Sequence, residues 1–216
     1  TRTVTMGAKA AKLYGDVSRD FWASVEAGEV TAANALTRML RLQQITGGAV
    51  GLDLAEDERP KDRRIERIDT AKQDALGEIL RDLPEKEPVV VFARFTADLD
   101  AIHEAAKAAG FSSAELSGRR NDLAAWQSGS ADVLATQIQA GGVGVDLTRA
   151  RVCVYFSLSY SLGEYLQSRK RTHRPGQTRS VLYVHLVAEG TIDEQVYRAL
   201  ERRQDVIAAV LGSRRS

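Results

Sequence analysis

Short, unbroken apolar runs alternate with segments of helical periodicity through the last two thirds of the chain. Val89-Val90-Val91-Phe92 follows Pro88, and comparable runs stand at Ala114-Glu115-Leu116, Val133-Leu134-Ala135, Val152 to Phe156 and Val181 to Val187. Continuous rather than alternating apolar runs suit strands covered on both faces, as in parallel sheets. Between them lie helical patterns: Leu99, Ile102 and Ala106 closed by Gly110, Leu123 and Trp126 stopped by Gly129, and a segment through Tyr165 and Leu166. Ahead of the first run, Asp69 or Thr70 can cap a helix whose stripe is Leu76, Ile79, Leu80 and Leu83, ended by Pro84. Five strands alternating with helices predict an α/β fold, an open parallel sheet with helices on both faces.

The flanks read differently. Residues 1–54 carry no strand signal. Ala10, Leu13, Tyr14 and Val17 share one helical face, and Ala32, Leu36, Met39, Leu40 and Gln43 another, ending near Gly47-Gly48. Two or three helices are expected there. Residues 55–67 are dominated by charge and read as a linker, and residues 68–216 as the α/β lobe. At the C-terminal end, Thr191-Ile192-Asp193-Glu194 has the form of a capping box opening a bracing helix that runs to about Leu211 and stops at Gly212.

Composition changes this picture little. Of 216 residues, 44% are hydrophobic and 27% charged, which supports a folded domain, and a net charge of +1 restricts any nucleic-acid contact to local patches. Cys153 is the sole cysteine, so no intrachain disulfide forms, and its setting between valines marks it as core. No apolar run approaches the ~20 residues of a membrane span. The chain opens Thr1-Arg2-Thr3 without a signal-peptide pattern and reads as an excised, monomeric, cytoplasmic fragment; its arginine and alanine usage hints at a bacterial or phage genome.

The candidate chemistry sits in Gln167-Ser168-Arg169-Lys170-Arg171-Thr172-His173-Arg174-Pro175-Gly176-Gln177. Five of residues 167–179 are Lys or Arg. If helical through this stretch, Arg171 and Arg174 project together about one turn apart, two guanidinium forks suited to the oxygens of a polyphosphate. Gly176 would end that helix and present Gln177 in a turn. A plain solvated basic face is the competing reading. Upstream, Ala140-Gly141-Gly142-Val143-Gly144-Val145-Asp146-Leu147-Thr148 follows a strand, where glycines let backbone N–H groups approach a phosphate. Leu147 stands where a dinucleotide fingerprint needs its third glycine, which weakens a self-sufficient Rossmann-like enzyme.

These stretches, in this order, resemble the C-terminal lobe of Swi/Snf-type DNA-dependent ATPases. Gln-x3-Arg-x-His-Arg-x-Gly-Gln is similar to the sixth helicase motif of that family, and the glycine-rich segment to the fifth, with Asp146 in place of the usual asparagine. Val89 to Thr96 resembles the fourth, Leu116-Ser117-Gly118-Arg119-Arg120 a strand-end loop that touches nucleic acid, and Glu189 to Glu194 the start of the closing helix. The resemblance covers roughly residues 68–212 and implies a RecA-like lobe with an N-terminal helical segment and a C-terminal bracing helix. It implies that Arg171 and Arg174 are arginine fingers acting on ATP held by another lobe, with Gln167, Gly142, Gly144, Asp146 and Gln177 near the nucleotide. In the wider helicase superfamily an aspartate at the Asp146 position touches the ribose or positions a finger arginine. Arg94, Thr96, Ser117, Gly118 and Arg119 are the implied contacts to the backbone of duplex DNA.

No Gly-x4-Gly-Lys-Ser/Thr occurs anywhere, and no Asp-Glu pair follows an apolar strand. The phosphate loop and the Mg²⁺ ligands are therefore expected in an N-terminal RecA-like lobe outside these residues, leaving this chain inactive alone, with no metal site and no tightly bound cofactor. One Cys and three scattered His give no zinc spacing. The rival expectation is a non-catalytic module that binds nucleic acid or a partner through the basic helix 164–177.

Overall fold

A computed structural model of the chain describes residues 1–27, 31–51, 65–140, 145–174, 177 and 179–212. Six strands form one sheet in the order β1-β8-β7-β4-β6-β5: β1 (Arg2–Val4), β4 (Val89–Ala93), β5 (Ser113–Leu116), β6 (Val133–Gln137), β7 (Val152–Tyr155) and β8 (Leu182–Ala188). Every neighbouring pair is parallel. The five apolar runs are five of these strands. The sixth, β1, corrects the expectation that residues 1–54 hold no strand: Arg2 to Val4 lie against Leu186 to Ala188 at the sheet's edge. Val4 is the one buried position of the three, so no periodicity announces it.

Two short strands, β2 (Ala49–Gly51) and β3 (Ile65–Arg67), pair antiparallel beside the main sheet. Ile65 to Arg67, expected as the end of a charged linker, are thus a strand. Residues 52–64, including most of that linker, lie outside the described residues.

Successive residues of β4 point to opposite faces, Val90 and Phe92 into one core and Val89, Val91 and Ala93 into the other. The second core is covered by α3 (Ala71–Arg81) and α4 (Thr96–Ala108). The first is covered by α5 (Leu123–Gln127), α6 (Leu162–Thr172), α7 (Ile192–Glu201) and α8 (Val206–Gly212), joined by α1 (Ala8–Glu26) and α2 (Ala32–Thr46). Phe21 and Trp22 of α1 and Met39 and Leu42 of α2 share that core with Phe92, Tyr155 and Leu200, so the N-terminal helices extend the core on that side of the sheet. Cys153 is wholly buried, and burial pushes its thiol up to about 12, despite a bond from Thr172, which makes it a core residue and a poor nucleophile.

The closing helix is broken, not continuous to Leu211. Arg203 adopts φ 57°, the left-handed region usually left to glycine. The Gln204 N–H donates to the Ala199 carbonyl and the Arg203 N–H to that of Leu200, a Schellman stop in an all-polar stretch. Asp205 restarts the helix by accepting from the Ala208 N–H at 2.7 Å. The expected capping box at 191–194 is also shifted. Thr191 Oγ1 accepts from the Asp193 N–H, and Glu194 accepts from Gly190 rather than from the Thr191 backbone.

A buried polar cluster joins the helices to the sheet. Lys72 Nζ and Asp193 Oδ2 are 2.6 Å apart, and both side chains are almost fully enclosed. Thr46 Oγ1 donates to Asp193 at 3.0 Å and Lys72 donates to the Phe156 carbonyl at 3.2 Å. Asp98, 2% exposed, accepts from Ser157 Oγ at 2.6 Å and from the Phe95 N–H at 3.2 Å. Burial raises its pKa to about 6, against the pull of Ser157 and Lys72. A carboxyl raised above its unfolded value of about 3.9 contributes stability that is fully present below that value and is lost as pH rises through about 6. Asp98→Asn should flatten that part of the pH–stability curve. Urea unfolding of both forms between pH 4 and 7 checks it; parallel curves would contradict it.

Candidate functional site at the carboxyl edge of the sheet

The chain proceeds from β4 outward to β5 and back to β6, then crosses β4 to reach β7 and β8. This reversal places the ends of β4, β6 and β7 around a crevice at the carboxyl edge, the usual binding position in open α/β sheets. Arg94 follows β4, Ser117 follows β5, Gln137 ends β6, and Ser157 and Ser159 follow β7. Gln137 ties three of these ends together: its amide donates to the Arg94 carbonyl at 3.3 Å and accepts from the Gly118 N–H at 3.2 Å.

Arg94 is half-buried, with its guanidinium 5.3 Å from the centre of the Tyr160 ring and one nitrogen donating to Ser159 Oγ at 3.4 Å. Thr96 is exposed at the start of α4 and helps line a cavity of about 270 Å³ with Ala49, Gly51, Ile65, Phe95 and Gln137. Arg119 is already engaged: its guanidinium holds Glu115 at 2.8 and 2.9 Å and Asp100 at 2.6 Å. Burial of Glu115 would raise its pKa, but Arg119, Ser117 and His103 together hold it down at about 2. Ser117 Oγ donates to Glu115 and accepts from the Arg119 N–H, so this loop is rigidly braced.

The arginine-rich stretch is not one helix. α6 ends at Thr172, and His173 is extended at φ −110°, ψ 90°, so Arg171 and Arg174 do not share a helical face as the spacing suggested. The reason is in the sequence. A helix continuing past Thr172 would need the residue at 175 to donate to the Arg171 carbonyl, and Pro175 has no N–H. The Leu147 N–H takes that carbonyl instead, at 3.0 Å.

Arg171 turns inward and is 6% exposed. Its guanidinium donates to the Ala140 carbonyl at 3.0 Å and the Ile138 carbonyl at 3.3 Å, and burial lowers its pKa. Arg174 is exposed, with one nitrogen 3.4 Å from the Val145 carbonyl. Asp146 accepts from the Thr148 N–H and hydroxyl at 2.8 and 2.7 Å. Those bonds, and next the charge of Arg174, hold its pKa low. Gln177 donates to the Thr148 and Ala150 carbonyls and accepts from the Arg179 N–H. Arg171, Arg174 and Gln177 therefore all grip the backbone on either side of the glycine-rich segment. Gly142 and Gly144, with Pro175 and Gly176, lie outside the described residues. Gln167 is exposed on α6, one turn before Arg171.

Sequence reasoning missed the polar residues that bind these pieces together. Glu164 accepts from Gln139 Nε2 at 2.9 Å and from the Ser159 hydroxyl. Gln137 and Gln139, polar positions directly after an apolar strand, were the available signal. The basic helix has no uniform charged face either: Arg169 lies over Tyr183, 4.6 Å from the ring centre, and Arg171 is internal. Among the described residues, no group of three His, Cys, Asp or Glu is placed to hold a metal ion, and no helix is long and apolar enough to cross a membrane.

A parallel sheet with this reversal, two arginines after β7 and a glycine-rich segment after β6 define a RecA-like lobe of the helicase kind. Residues 71–176 match the family model of the helicase conserved C-terminal domain. The chain is 28% identical over 155 residues to the chromatin-remodeling ATPase INO80 of Cryptococcus neoformans var. neoformans, covering 68% of this chain and 9% of that protein. It is 25% identical over 217 residues to an uncharacterized ATP-dependent helicase of Mycoplasma genitalium, covering 96% of this chain and 20% of that protein. The Sulfolobus solfataricus SWI2/SNF2 ATPase core in complex with dsDNA has the same fold, at a TM-score of 0.67 and 20% identity over 96% of this chain and 45% of that one. Residues 71–176, just under half of the chain, carry the helicase conserved C-terminal domain, and these relatives support a lobe of the Swi/Snf type, a helicase-like motor domain. It spans 9% and 20% of the length of these two curated relatives.

Proposed function

We propose that this chain is the second motor lobe of an ATP-driven translocase on duplex DNA. It closes on ATP held by an N-terminal RecA-like lobe and supplies arginine to the phosphates. The observation that carries this reading is the convergence of Arg171, Arg174 and Gln177 on the backbone flanking the glycine-rich segment. Arg174 is the exposed member and the finger proper. Arg171 sets the backbone beneath it, and Asp146, lowered in part by Arg174, positions the finger. Gln167, Gly142 and Gly144 complete the nucleotide side.

The residues present fit one side of a nucleotide. An exposed guanidinium can bond polyphosphate oxygens and offset charge developing on the transferred group. Mg²⁺ would be held by the other lobe, since the described residues offer no ligand cluster for it. Bound Mg-ATP supplies the phosphoryl chemistry. This lobe contributes charge, orientation and closure.

DNA would run along the loops after β4 and β5. Arg94, Thr96, Ser117 and Gly118 face it, and Arg119 contributes through the loop it braces. The relative of known structure captured with dsDNA and the remodelling ATPase among the relatives support this substrate class. A recognition module built on a basic helix finds less support, because that helix buries Arg171 and lays Arg169 over the Tyr183 ring.

The isolated chain should hydrolyse no ATP and should bind duplex DNA at the non-specific level of about 10⁻⁴ to 10⁻⁶ M, with a steep salt dependence. Arg94→Ala should shallow the salt slope by about one. Fluorescence titration at several salt concentrations, beside a phosphate-release assay, tests both. Turnover by the pure chain would overturn the two-lobe reading, and tight binding at high salt or marked sequence preference would favour the module.

A further inference from the structure

A continuous chain of polar contacts crosses the carboxyl edge from the DNA side to the arginine site. It starts at Arg94, whose guanidinium donates to Ser159 Oγ at 3.4 Å. Ser159, 1% exposed, also accepts from the Ser161 N–H at 3.0 Å and donates to Glu164. The second oxygen of Glu164 accepts from Gln139 at 2.9 Å. Gln139 stands between Ile138 and Ala140, whose carbonyls hold the Arg171 guanidinium. Glu164 lies in the first turn of α6 and Arg171 in the last, seven residues on and on the same face. One rigid helix thus grips residues 138–140 at two points, and Glu164 is the acid placed between the two cations.

We propose that Glu164 is a positioning residue that couples DNA contact at Arg94 to the placement of Arg171; the proposal rests on the two-lobe reading above. The element with two states is the Arg94 side chain. A hydrogen bond of 3.4 Å is longer than the ordinary N–H···O range, so Ser159 holds Arg94 weakly, and a phosphate oxygen offers the same guanidinium a charged acceptor. Once Arg94 turns to a phosphate, Ser159 keeps only the Ser161 N–H and Glu164. Glu164 keeps its bonds to Ser159 and Gln139, so a change in Ser159 passes through it to Gln139 and residues 138–140. Arg171 follows, because its guanidinium is bonded to those carbonyls. A small cavity of about 20 Å³ among Ala93, Arg94, Gln137, Gln139, Ser159 and Glu164 leaves room for the side chains to change partners.

The test is the ratio of ATP turnover with saturating duplex DNA to turnover without it, in the full-length protein. Glu164→Gln keeps the size of the side chain and removes its charge. It should cut that ratio about fivefold or more, the usual scale of coupling between sites, while turnover without DNA and DNA affinity stay within about twofold. Ser159→Ala breaks the same chain at a smaller, neutral side chain and should give the same pattern if Glu164→Gln fails to fold. In the Arg94→Ala background, Glu164→Gln should cause no further loss, because the input is already gone. A Glu164 that merely supports the fold would lower turnover with and without DNA alike, together with thermal stability, and its effect would multiply with that of Arg94→Ala; either result overturns the proposal. Failure of the two-lobe reading is seen separately, as normal turnover in Arg174→Ala.

Discussion

Arg174→Ala in the full-length protein should slow ATP hydrolysis about 10³-fold or more, the scale on which an arginine finger acts. ATP affinity should change far less, since the other lobe holds most of the nucleotide and a finger works where charge develops. Arg174→Lys should fail almost as badly, because an ammonium lacks the planar fork. The structure separates this from Arg171→Ala. Arg174 is exposed, and its removal should move the unfolding midpoint far less than removal of Arg171 does. Arg171 is enclosed among backbone carbonyls, so Arg171→Ala should reduce turnover and stability together. Lys170→Ala, on an exposed face of α6, should do neither. Steady-state kinetics at saturating DNA, with a melting curve for each variant, decide the matter. Near-normal kcat in Arg174→Ala would remove the finger assignment.

Lys72→Met should lower the unfolding free energy by about 3 to 5 kcal/mol, a large share of the stability of any domain. It leaves Asp193 charged in a space where the pair is almost fully enclosed, with Asp98 nearby. Adding Asp193→Asn should recover part of the loss, because the stranded charge goes while one acceptor oxygen remains, enough for either Thr46 or the Ala188 N–H, which bond different oxygens of Asp193. Urea unfolding of the two variants measures it. A loss below about 1 kcal/mol for Lys72→Met would mean that water reaches the pair, contrary to the packing described.

The inner strands were legible because Val89 to Phe92, Val133 to Ala135 and Val152 to Phe156 each carry enough apolar residues to declare double burial. Arg2 to Val4 carry one, and their strand state comes from Leu186 to Ala188, which no local pattern can reveal. The polar cluster was half legible. Lys72 stands four residues before Leu76 and eight before Leu80, on the apolar stripe of its own helix, yet its partner lies 121 positions away in α7. The fifth and sixth motifs marked the candidate site by spacing. Which arginine turns inward depends on Pro175 denying the Arg171 carbonyl its helical partner, a detail that spacing alone conceals. The break at Arg203 was hidden because arginine is an ordinary helix former, and the left-handed turn there is imposed by the charged stretch that has no core to face.

The pairing of β1 with β8 also sets a timetable. Arg2 meets Leu186, so the first strand of this sheet in chain order waits for its last, about 10 to 40 seconds at ordinary elongation rates. Through that interval the helices carrying Phe21, Trp22, Met39 and Leu42 have been synthesised while Tyr155 and Leu200, which share their core, have not. This lobe therefore spends its synthesis with the greasy face of its first two helices only partly covered, and one edge of the sheet is sealed only when its last strand arrives beside its first.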